Sequence, residues 1–208
     1  MSTLNIDNLS ICYGDSFQLR VSCQLNTGRL WQIVGANATG KTSLITNFLY
    51  GNQSKSSCIT IDKVPVSRLA IGALDYNALF LKWTVRQNLS YYLPNYSKSN
   101  RNVYLEHLVE ERWLSKKAHH LSNAQKKKLL IAILLEQGHR VLLLDELDDA
   151  FDSTNLTIVL NTLNKWVEDS SDRIVLFVCK NPIESIHTRL DIVPSDPNGV
   201  NYEVRIQP

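Results

Sequence analysis

One loop constrains this chain more than any other stretch: Gly35-Ala36-Asn37-Ala38-Thr39-Gly40-Lys41-Thr42 fits GxxxxGK[ST] in full. Residues 29–34 before it read as an apolar strand and residues 40–50 after it as a helix, so the motif has the strand–loop–helix setting its chemistry needs. Glycines let such a loop wrap a polyphosphate, with backbone N–H groups and the helix N-terminus facing its charge. Lys41 is expected to reach the β- and γ-phosphates, and Thr42 to offer its hydroxyl to Mg²⁺. Gly35, Asn37, Ala38, Thr39, Gly40 and Ser43 complete the expected nucleotide site.

The rest of the chain reads as an α/β fold built around that loop. Residues 4–11, 18–25 and 57–61 are short β-rich segments broken by turn signals such as Tyr13-Gly14-Asp15 and Asn26-Thr27-Gly28. Residues 69–74 form another short strand. From 84 to about 118 the pattern turns helical, with a polar break at 94–101. Helices are predicted over 122–137 and 154–168, buried strands over 141–144 and 173–179, and an edge strand over 202–206. Continuous Val/Ile/Leu runs bounded by helices point to a parallel sheet covered on both faces.

The strand at 141–144 runs into Asp145-Glu146. An aspartate closing a buried strand next to a P-loop suits a magnesium ligand. The glutamate after it is placed to orient or deprotonate an attacking water. Without the loop, the same pair would read as a plain solvated turn.

Between these motifs lies Leu121-Ser122-Asn123-Ala124-Gln125. Ser122 and Gln125 have the spacing of a capping box. The segment also resembles the LSGGQ signature of ATP-binding cassette (ABC) transporters, degraded at both glycines. Phe151-Asp152 falls where that family has its D-loop. Tyr13 falls where it has an aromatic residue that stacks on adenine. The resemblance covers essentially the whole chain. It implies a P-loop NTPase of ABC type across residues 1–208, with an antiparallel β-subdomain (about 1–30 and 57–75) and a helical insertion (about 84–120). It also implies ATP and Mg²⁺ as ligands, with Ser122, Asn123, Ala124 and Gln125 offered to the nucleotide of an opposing copy. Within the family, Trp31-Gln32-Ile33-Val34-Gly35-Ala36-Asn37, Trp83-Thr84-Val85-Arg86-Gln87-Asn88-Leu89 and Cys179-Lys180-Asn181-Pro182 are most similar to the ATP-binding subunit of cytochrome c maturation haem exporters.

Five positions depart from the family pattern. Asn123 and Ala124 replace the signature glycines, with Asn123 expected to keep a left-handed turn. Leu147 replaces the proline after the Walker B glutamate. Tyr76 stands at the Q-loop glutamine. Lys180 stands at the switch histidine, where an ammonium cannot relay protons as a neutral imidazole does but can still offset γ-phosphate charge. The surviving Lys41, Thr42, Asp145 and Glu146 imply a binding-competent site with slow hydrolysis in a transport subunit. The alternatives are a structural subunit that no longer turns over, which intact Glu146 opposes, a subunit of a different ABC transporter, or a non-transport cassette protein.

Composition narrows the partners. A net charge of +2 over 208 residues does not suit a free-standing nucleic-acid binder. The apolar runs are too short to span a bilayer, so any membrane role passes through another subunit; the ABC resemblance implies a homodimer or paired cassette docked on integral membrane subunits. The first residues have neither a signal peptide nor a transit peptide pattern. Together with a low glycine and high asparagine content, this points to the matrix side of a mitochondrial inner membrane or the cytoplasmic side of a bacterial one. Cys12, Cys23, Cys58 and Cys179 are scattered and read as reduced core thiols. Lys126-Lys127-Lys128 reads as the solvated face of the Ser122 helix. Trp83, Tyr91 and Tyr92 lie where the family docks its membrane subunit and suit either interface anchors or core.

Overall fold

A computed structural model describes residues 2–14, 16–50, 59–65, 71–73, 77–96, 103–179, 181–197 and 200–207. Its elements are β1 (Thr3–Tyr13), β2 (Phe17–Asn26), β3 (Arg29–Val34), α1 (Lys41–Tyr50), β4 (Ile59–Ile61), β5 (Val64–Pro65), β6 (Ile71–Ala73), α2 (Val85–Tyr92) and α3 (Val103–Leu108). After them come α4 (Asn123–Glu136), β7 (Val141–Leu144), α5 (Ser153–Glu168), β8 (Ile174–Val178), β9 (Arg189–Pro194) and β10 (Asn201–Gln207). Short 3₁₀ turns at Glu111–Trp113 and Ala118–His120 lead into α4.

Among the described residues, ten strands join one mixed sheet, ordered β5-β4-β1-β2-β10-β9-β3-β8-β7-β6. The β9-β3-β8-β7-β6 portion is parallel, while β1 pairs antiparallel with both β2 and β4. The β7 and β8 side chains sort by pleat. Leu142, Leu144, Val175 and Phe177 face a core built with α4 and α5. Val141, Leu143, Ile174 and Leu176 face the opposite core, which holds Leu44, Ile45 and Phe48 of α1 and the inner faces of β1 and β2. Burial on both sides explains why β7 and β8 read as unbroken apolar runs.

Sequence caps fix the helix starts. Ser122 accepts from the Gln125 amide at 3.2 Å, and Gln125 Oε1 accepts from the Ser122 amide at 2.9 Å. Thr84 and Gln87 close the same box ahead of α2. Asp152 caps α5, accepting from the Asn155 amide at 2.7 Å. Fully buried Trp166 on α5 packs between the layers, its Nε1 donating to Leu135 O at 3.1 Å.

Three expectations need correction, and one strand is new. Strand 202–206 is not an edge: β10 lies between β2 and β9, pairing with both, because its alternation marks a half-buried face and not its neighbours. Ile71–Ala73 pairs with β7 in the parallel portion and so does not join the antiparallel strands. The strands of loop 35–40 and of Asp145 are not adjacent, since β8 lies between β3 and β7. Strand β9, unread in the sequence, completes the pairing of β3.

Candidate active site

The cleft opens at the C-terminal ends of β3, β8 and β7, where parallel strands and helix N-termini leave a natural crevice. It encloses ≈ 410 Å³ and is lined by Tyr13, Asn37, Ala38, Gly40, Lys41, Thr42, Ser43, Asp145 and Glu146. Phe17, Val178 and Cys179 complete the wall. The sequence motifs from residues 13, 37–43 and 145–146 therefore meet in one place.

The glycine loop is tightly built. A Cβ on Gly35 would stand 2.6 Å from Thr39 Oγ1, and one on Gly40 2.6 Å from Phe17 Cζ. Gly40 also holds a φ of +93°, which side chains rarely adopt. Thr39 is buried and donates to Ala36 O at 2.9 Å, bracing the loop from beneath. Gly35 and Thr39 thus support the loop and do not line the cleft. Ala38 takes a φ of 62° without being glycine, at a cost of about 1–2 kcal/mol.

Lys41 Nζ donates to Gly35 O at 2.8 Å and to Ala36 O at 2.7 Å, which holds its ammonium over the loop. Burial lowers its pKa, while the Asp145 charge opposes that shift. Asp145 follows β7, and its Oδ1 accepts from the Glu146 amide at 3.0 Å. Glu146 is exposed and sits at a φ of 47°, a kink that starts the turn 146–149. Leu147 is buried, and its N–H donates to Val178 O at 2.7 Å, a bond that proline could not make. The Gly35 and Gly40 cradle, the Thr42 hydroxyl and the Asp145 carboxylate together fit a magnesium–polyphosphate: hard oxygen donors beside a loop of backbone amides.

Tyr13 is 55% exposed, with its ring 5.9 Å from that of Phe17, and Phe17 lies 5.4 Å from Tyr202. Tyr13 and Phe17 form one wall of the cleft, with Tyr202 packed behind Phe17 outside it. Phe17 was not anticipated, because it looks like any apolar residue of an alternating strand. Ser122, Asn123, Ala124 and Gln125 do not line the cleft of their own chain. Asn123 is the first residue of α4 and not left-handed, so the position needs no glycine-like conformation. Asp152 lies past the Asp145 turn as the cap of α5. Tyr76 and Lys180 lie outside the described residues, as does Cys58.

The lysine run is not a solvated face. Lys127 is 0% exposed and Lys128 is buried with its Nζ bonded to Asn155 Oδ1. Cys12 is exposed, against the core expectation, whereas Cys23 and Cys179 are buried. Trp83 and Tyr91 are 39% and 58% exposed and belong to a surface cluster with Phe80. For Tyr91 this rules out the core reading.

A family model described as ABC transporter matches residues 19–148. The chain belongs to the ABC transporter family. Members of this family bind Mg-ATP and couple its hydrolysis to transport, working with membrane subunits and usually as dimers. Among curated relatives of this ABC protein, the spermidine/putrescine import ATP-binding protein PotA of Treponema pallidum (strain Nichols) is 30% identical over 99% of this chain and 59% of its own. The taurine import ATP-binding protein TauB of Yersinia pestis bv. Antiqua (strain Antiqua) is 32% identical, over 83% of this chain and 72% of its own. The chain thus spans less than two thirds of PotA's length. A solved structure described as a putative ABC transporter ATP-binding protein from Pyrococcus furiosus superposes with a TM-score of 0.74 at 23% identity, covering 91% of this chain and 96% of that one. It shares the ABC ATPase fold. Among the described residues, no helix is long and apolar enough to cross a membrane.

Proposed function

We propose that this chain is the ATP-hydrolysing subunit of a membrane transport complex, in which two cassettes close head to tail on Mg-ATP. One observation carries the reading: Lys41, Thr42, Asp145 and Glu146 line a single cleft together with Tyr13. Tyr13 would stack on adenine, and the 37–43 loop with Lys41 would hold the phosphates. Thr42 and Asp145 would hold Mg²⁺, whose charge offsets that building on the β- and γ-phosphate oxygens. Glu146 would take a proton from water as its oxygen bonds to the γ-phosphorus and the bond to the β–γ bridging oxygen breaks, leaving ADP and phosphate. Ser122 at the capped start of α4 would face the γ-phosphate of the opposing copy. Asp152 would sit at the interface between the copies.

The replacements at Tyr76, Asn123, Ala124 and Lys180 support slow turnover. The surface cluster of Phe80, Trp83 and Tyr91 supports docking of a membrane subunit on the helical insertion. For the cargo, the segments at 31–37, 83–89 and 179–182 support haem release to an acceptor at the matrix face of a mitochondrial inner membrane, or the cytoplasmic face of a bacterial one. The names of PotA and TauB favour a small polar solute.

The test uses the complex recovered in mild detergent. Integral membrane subunits should co-purify, with haem proteins beside them if the cargo is haem; ribosomal proteins instead would contradict a transport role. Glu146→Gln should abolish phosphate release, a loss on the order of 10²–10⁴-fold, while ATP binding persists. Lys180→His with Tyr76→Gln should raise turnover. No phosphate release from the wild type or from that double variant would make the chain a nucleotide-dependent scaffold.

A further inference from the structure

Lys127 sits in the second turn of α4, fully buried. Its Nζ donates to the carbonyl oxygens of Glu146 and Asp149, the latter at 2.9 Å, and stands 5.5 Å from the Phe151 ring centroid. Burial lowers its pKa, opposed by the charges of Asp149, Asp148 and Glu146. A buried ammonium is a costly way to fill space that a leucine or methionine could fill, so the carbonyls it holds are informative.

Those acceptors are the two ends of the turn that carries the candidate general base. The turn is closed by the Asp149 amide donating to Glu146 O at 3.0 Å. Its first residue, Glu146, holds the left-handed φ of 47°. On the far side, Leu147 N–H is bonded to Val178 O at 2.7 Å. Glu146 is thus gripped through its own carbonyl by Lys127 and through the next amide by β8, leaving its carboxylate as the exposed part lining the cleft.

We propose that Lys127 is a positioning residue for ATP hydrolysis: it fixes the Glu146 kink and ties it to α4, the helix that opens at Ser122. This rests on the ATPase reading above. A movement of α4 as its N-terminus meets the opposing nucleotide would then reach Glu146 through one side chain. Lys127 need not touch ATP to act.

The experiment compares wild type, Lys127→Met, Lys127→Arg and Glu146→Gln in the assembled membrane complex, measuring phosphate release and Mg-ATP affinity. Lys127→Met should lower kcat by roughly 10–100-fold, the scale of a misplaced catalytic group, while KM and ATP affinity stay within about twofold. Lys127→Arg, which keeps a charged donor, should recover part of kcat. The Leu147 and Asp149 amides should exchange hydrogen faster in Lys127→Met, with the α4 amides unchanged. If Lys127→Met does not accumulate, Lys127→Gln keeps a donor of shorter reach and should show the same split in milder form. A folded variant with wild-type kcat, or one whose loss lies in KM and affinity, overturns the proposal. A wild-type complex that binds ATP without releasing phosphate removes the ATPase reading itself, a result distinct from a wild type and a Lys127→Met variant turning over equally.

Discussion

Gly40→Ala tests how closely the phosphate loop is seated on β2. The new Cβ would lie 2.6 Å from Phe17 Cζ and 3.2 Å from Leu19 Cδ2, on a backbone with a φ of +93°. The left-handed backbone alone costs about 1–2 kcal/mol for an L-residue. Overpacking against the ring and the buried Leu19 adds about 1–3 kcal/mol. The sum, roughly 2–5 kcal/mol, is a large share of a stability of about 5–15 kcal/mol. For a chain of this size it should lower Tm by roughly 4–20 °C. Urea denaturation of Gly40→Ala in wild-type and Phe17→Ala backgrounds separates the two contributions. Without the ring, the cost should fall toward the backbone share of about 1–2 kcal/mol. Equal costs in both backgrounds would refute the contact with Phe17, and a cost below about 0.5 kcal/mol, ordinary for a harmless surface change, would refute the strained backbone as well.

Ala38→Gly is the converse. Relief of about 1–2 kcal/mol at a φ of 62° outweighs the flexibility that glycine adds to the unfolded chain, so stability should rise by about 0.5–1 kcal/mol; a lower urea midpoint would contradict it. Tyr13→Ala should weaken Mg-ATP binding in fluorescence titrations while Tyr13→Phe leaves it nearly intact, because stacking needs the ring and not the hydroxyl; equal losses would exclude stacking. Cys12 should be alkylated by iodoacetamide in the folded protein, while Cys23 and Cys179, buried with thiols pushed up to about 12, resist it until unfolding. Peptide mass spectrometry reads this out, and fast labelling of Cys179 in the native state would contradict the closed packing behind Glu146.

The legible parts of the molecule were those where chemistry demands particular residues. Gly40, Lys41 and Thr42 have few substitutes around a phosphate, and the Ser122–Gln125 capping box announces a helix start through local bonds alone. Buried runs such as Val141–Leu144 named themselves because both faces are covered. What the sequence withheld depended on distant partners. β10 alternates like an edge strand, and only its pairing with β2 and β9 makes it internal. Lys127 looks like one of three solvated lysines, since its acceptors lie far along the chain in a turn whose position is set by the sheet. The expected left-handed turn at Asn123 failed for a local reason: once Ser122 caps the helix, the next residue is already helical.

The claim on which the rest depends is that the Lys41 cleft binds Mg-ATP. Its most direct test is a calorimetric titration of Mg-ATP into the wild-type chain and into Lys41→Ala. Charge-assisted hydrogen bonds from a lysine contribute about 1.5–3 kcal/mol, so the substitution should weaken binding by roughly 10–150-fold with the fold intact by circular dichroism. Affinity within about twofold of wild type, or no binding heat in either protein, would contradict the account.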